Sequence, residues 1–124
     1  MASRLLVTKI TNKSIETIDV NGDDFRARAE KSMRNGKTYV FKTERGWIAH
    51  MLCDADATDI NDPATQMVCR AKGTDARVCG DVYLFCFEYG MVCGFGQADW
   101  RDKYIRDLLI YAFFGFGTDR KEIA

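Results

Sequence analysis

The last third of the chain sets the terms for the rest. From Val82 to Phe95 the residues are almost continuously apolar and aromatic, and from Ala98 to Phe116 the pattern changes period. Trp100, Tyr104, Ile105, Leu108, Leu109, Ala112, Phe113 and Phe116 recur at the spacing of one helix face, which predicts a single helix over 99–114. Ile110, Tyr111 and Phe114 make its final turns apolar almost all round, the mark of a helix covered on more than one side. One side must rest on the core. Tyr104, Tyr111, Phe114 and Phe116 are surplus to it, and are candidates for an interface with a partner or a second copy, because one helix facing one sheet does not cover them all.

The sheet for that helix is legible upstream. Arg4–Ile10 and Ile15–Val20 read as a strand pair joined by the turn residues Thr11 to Ser14. Asn21-Gly22 is a turn signal, and Asp23 or Asp24 can cap a short helix over about 24–34, stopped by Asn35-Gly36. Phe25, Ala29 and Met33 form its apolar stripe. Thr38–Lys42 and Trp47–Leu52 read as a second hairpin, and Gln66–Arg70 as a further short strand beyond a polar loop. Val78–Glu88 is apolar on both alternations, as a strand covered on both faces must be, and Met91–Phe95 returns beside it after Gly90. These elements predict one α+β domain over 1–124, with a mostly antiparallel sheet of six to seven strands, the helix at 24–34 and the long helix at 99–114 packed on it. The charged segment 118–124 is expected to fray.

Composition narrows the function classes. A chain of 124 residues buries enough surface to fold without a staple. Its 18 basic and 18 acidic residues cancel, so any electrostatic partner must be read by a local cluster. The 5 cysteines are odd in number and mostly sit in apolar runs, which favours reduced, buried thiols. The run from Leu108 to Gly117 is about half of what a bilayer requires. A cytoplasmic protein without a membrane span is the expectation.

Four constellations could carry chemistry. Asp54, Asp56, Asp59 and Asp62 open like a calcium loop, but the sixth position is Asp59 rather than Gly and the twelfth is Thr65 rather than Glu, so a solvated acidic loop is favoured over a metal site. Gly94-Phe95-Gly96 before a helix would suit a phosphate, except that Asp99 stands where a third glycine belongs; a tight corner capped by Asp99 is the simpler reading. His50, the only histidine, lies three residues from Cys53, which on a strand puts the two on opposite faces. The cysteine spacings lack the paired knuckle of a zinc site. Finally, Arg26, Arg28, Lys31, Arg34, Lys37, Lys42 and Arg45 are opposed only by Glu30 and Glu44, a segment able to meet phosphates or an acidic protein.

No catalytic set, cofactor motif or metal-ligand set survives these comparisons. The expectation is a small non-enzymatic interaction module that self-associates or docks on a larger complex through its aromatic C-terminal helix. An inhibitor or accessory protein of viral or mobile-element type is the case suggested by small size. Nucleic-acid or anionic-ligand binding through 26–45 is the alternative, and a metal-assisted hydrolase using Asp54 to Asp62 is the second.

Overall fold

The computed structural model describes residues 4–44, 46–54 and 56–114. In chain order they form β1 (Arg4–Ile10), β2 (Ile15–Asn21), α1 (Gly22–Arg34), β3 (Thr38–Lys42), β4 (Ile48–Leu52), α2 (Asp62–Lys72), β5 (Val82–Glu88), β6 (Met91–Cys93), a 3-10 turn (Gln97–Arg101) and α3 (Lys103–Phe114). The fold is α+β, with one antiparallel sheet of order β2-β1-β5-β4-β3 and β6 paired to β5. Two local hairpins therefore flank β5, which pairs with β1 through Thr8↔Leu84 and with β4 through Ala49↔Cys86.

The alternation of β5 divides the core. Val82, Leu84 and Cys86 join Ile10, Phe41, Ala49 and Met51 on one face, beneath α2 and α3. Phe85 joins Leu5, Val7, Leu52 and Val92 on the other, beneath Phe25 and Ala29 of α1. Phe25 meets the Tyr83 and Phe85 rings edge-on, at centroid distances of 6.2 and 5.6 Å. Both faces of the central strand are covered, as its unbroken apolar sequence requires.

Four expectations are corrected. Gln66–Arg70 is not a strand; it lies inside α2, which starts from an Asn61 cap and ends at Gly73 in the left-handed region. Neither Asp23 nor Asp24 caps α1. The Asn21 side chain does so by accepting from the Asp24 amide at 3.0 Å, and both aspartates sit in the first turn, where the helix dipole favours them. The helix expected over 99–114 is broken at Asp102, whose extended backbone separates the 3-10 turn from α3. The buried Asp102 carboxylate accepts from the amides of Tyr104 and Ile105 at 3.1 and 3.3 Å and from that of Glu44 at 3.4 Å, so it starts α3 and ties it to the β3–β4 turn. The strand expected over 78–88 begins only at Val82, because Cys79 makes an isolated bridge to Ile60 instead.

The chain reaches α3 through a tight corner. The Phe95 amide donates to the Leu6 carbonyl at 2.9 Å, and a Cβ on Gly94 would stand 2.6 Å from that oxygen. Buried Thr8 donates to the Phe95 carbonyl at 2.6 Å and accepts from the Trp100 indole at 2.8 Å. Asp99 closes the corner by accepting from the Gly96 amide at 2.9 Å.

Candidate functional site

The site is the side of α3 that α2 leaves open. Ile105, Leu108, Leu109 and Ala112 are buried and face the sheet. Tyr104 and Tyr111 lie on the α2 side. They line a cleft with Gln66, Cys69 and Arg70, and the Arg70 guanidinium stacks over the Tyr111 ring at 4.2 Å. These two tyrosines, expected at a free interface, are half-buried against α2. The Phe114 side chain and the whole of Phe116 and Arg45 lie outside the described residues.

On the opposite side, the apolar surface is open. Trp100, Leu109, Ile110 and Phe113 meet Ile15 of β2 around a groove of about 540 Å³. Ile110 is 45% exposed, while Trp100 and Phe113 are half-buried. Lys13 and Arg106 stand at the groove. Arg106 and Lys103 share one carboxylate, that of Asp107, at 3.9 and 3.1 Å, so this stretch of the helix is left with net positive charge. The sequence pattern placed Trp100, Leu109 and Phe113 on the core stripe, counted Phe113 among the surplus aromatics as well, and did not single out Lys13, Ile15 or Arg106. The signal available was Ile110, an isoleucine off the main stripe of the helix.

The basic segment spans α1, the loop after it and β3. Arg26 donates to the Val92 carbonyl at 3.2 Å, and Arg28 lies over the Tyr83 ring at 5.5 Å, so both are engaged in holding α1 on the sheet. Lys31, Arg34 and Lys37 are exposed about the end of α1. Lys42 is exposed at the end of β3.

The aspartates do not converge. Asp54 accepts from the Asp56 amide at 3.0 Å, capping its own turn, and the Asp59 carbonyl accepts from Gly80 at 2.8 Å. Asp62 belongs to the first turn of α2. Among the described residues no three His, Cys, Asp or Glu side chains are grouped so as to share a metal ion. His50 is buried, stacked on Phe85 at 5.2 Å with Nδ1 3.1 Å from the Thr38 hydroxyl, and burial lowers its pKa. Burial pushes the Cys53 thiol up to about 11. Burial, followed by the charges of Asp99, Glu88 and Cys93, pushes Cys86 up to about 12. Both are small apolar groups at neutral pH rather than nucleophiles.

No helix among the described residues is long and apolar enough to cross a membrane. No protein-family model, curated protein or solved structure matches the chain.

Proposed function

We propose that the chain is a non-enzymatic docking module acting in the cytoplasm. Its contact surface is the outer side of α3, and its occupant is an amphipathic segment of a partner protein bearing acidic flanks. The observation that carries this is the groove itself. Ile110 stands 45% exposed beside the half-buried rings of Trp100 and Phe113, in a concavity next to Lys13 and Arg106. Aromatic and aliphatic anchors at helical spacing suit a helix laid in a groove, and the cations at its edge favour acid over base in the partner. The charge argument also disfavours a second copy as occupant. A two-fold axis through this face would repeat Lys13 and Arg106 in both copies, and among the described residues the groove's own lining holds no acidic residue to meet them.

The test uses two labelled amphipathic helical peptides with identical apolar anchors, one flanked by Glu and one by Lys. Fluorescence anisotropy should show tighter binding of the acidic peptide, lost in Ile110→Asp while circular dichroism remains that of the wild type. Equal affinity for both peptides would overturn the reading. So would a concentration-dependent dimer, seen by sedimentation, that Ile110→Asp dissolves.

A further inference from the structure

A second concavity shares no residue with the groove on α3. It has a volume of about 460 Å³ and opens where the end of α1 meets the start of β3, the segment after β4 and the segment before β5. That volume is in the range of small-ligand sites, about 300–1,000 Å³.

Its wall carries three kinds of chemistry. Lys37 and Arg77 supply two exposed cations, and among the described residues neither takes part in an ion pair. The last carbonyls of α1 do not draw on the Lys37 side chain. Lys31, Ser32 and Met33 already accept from the amides of Asn35, Lys37 and Gly36 at 3.1, 2.8 and 3.1 Å. Apolar and aromatic surface comes from Tyr39, Ala57 and Cys53, the last a protonated thiol at neutral pH. Asp54 supplies an acceptor: one carboxylate oxygen holds the Asp56 amide, and the other is available.

Two cations outside any described ion pair match a phosphate monoester, which carries about −1.5 to −2 at neutral pH, better than a diester with a single charge. A flat apolar wall with one carboxylate acceptor suits a heterocycle carrying an amino group. We propose that this cleft binds a nucleoside monophosphate, its phosphate held by Lys37 and Arg77 and its base lying along Tyr39 with Asp54 as acceptor. The assignment stands independently of the docking surface on α3.

Isothermal titration of the full chain with AMP, GMP, CMP and UMP tests it, with adenosine and inorganic phosphate as separate arms. One or more nucleotides should bind at one per chain. Adenosine and phosphate alone should each bind about tenfold more weakly or worse. Lys37→Gln with Arg77→Gln should weaken the nucleotide about tenfold or more, and Asp54→Ala should alter the ranking of the bases. Both cations are exposed, so the fold should survive; if the double variant melts early, Lys37→Gln alone carries the same reading. The proposal is overturned if no nucleotide binds at millimolar concentration. It is equally overturned if phosphate alone binds as well as the nucleotides, or if the cation variants bind unchanged.

Discussion

Replacing Asn61 by alanine should be among the more damaging single changes outside the apolar core. The residue is 1% exposed, and its side chain does two jobs. Its Oδ1 accepts from the Ala64 amide at 3.1 Å, capping α2, while its Nδ2 donates to the carbonyls of Ile10 and Gly80 at 2.9 and 2.8 Å. One side chain thus fastens the start of α2 to the end of β1 and to the segment before β5. Loss of an N-cap costs about 1 kcal/mol. Each carbonyl left without its donor in a buried site adds about 1 kcal/mol, so the total is about 3 kcal/mol. For a domain of this length that is a fall in Tm of about 12 °C, measurable by thermal unfolding followed by circular dichroism. Asn61→Asp separates the two jobs. Aspartate caps a helix as well as asparagine does, but it cannot donate, and it sets a carboxylate against two carbonyl oxygens. At neutral pH it should therefore be at least as destabilising as alanine. An alanine variant within about 1 kcal/mol of wild type, or an aspartate variant that melts like wild type, would refute the claim that these two bonds hold α2 to the sheet.

Other perturbations report on other parts of the fold. Leu108→Ala should cost about 2–5 kcal/mol in denaturant unfolding because Leu108 is buried, whereas Ile110→Ala on the open side should stay within about 0.5 kcal/mol. Gly94→Ala should cost about 1–3 kcal/mol, since its Cβ would meet the Leu6 carbonyl oxygen at 2.6 Å. Burial lowers the His50 pKa in the folded state, so the unfolded chain takes up its proton first as the pH falls. The His50 contribution is therefore fully present above the ordinary value of 6.5 and is lost as pH drops from there through the folded pKa. His50→Gln should flatten stability against pH in that window, and no other histidine complicates the measurement.

The hairpins were readable because alternation and turn chemistry agree there. Asn12 and Ser14 sit between β1 and β2, and Gly46 between β3 and β4, each at the break between two alternating runs. The covered central strand was readable because Phe85 and Leu84 are adjacent and both apolar, which a one-sided strand does not allow. The helix α2 was missed although Ala64, Met67, Val68 and Ala71 do recur at helical spacing: two of the four are alanines, which mark a core face weakly, and the aspartates before them mask its start. The signals were present as punctuation: Asn61 as cap, Pro63 in the first turn and Gly73 just past the end. That one omission propagated to the site. Without α2, nothing in the sequence covers Tyr104 and Tyr111, and they stand out as surplus. With it, they are half-buried along the cleft between α2 and α3, and Ile110 is the more exposed apolar side chain of α3. The break at Asp102 was hidden for a different reason. The apolar spacing continues across it, and it is the amide bonds to its carboxylate, among them one from Glu44, that reveal that it ends one helical segment and begins another.

The position of β5 also governs how the polypeptide assembles. Both outer strand pairs, β1 with β2 and β3 with β4, close over short loops and need nothing from later in the chain. The strand that joins them begins only at Val82, well after β4 has ended at Leu52. A nascent chain therefore carries two incomplete ribbons, each with a raw inner border, until the keystone arrives and is gripped from left and right at once. Closure over so long a separation is the slow event expected in refolding, and a chain arrested before it would offer both borders to its neighbours.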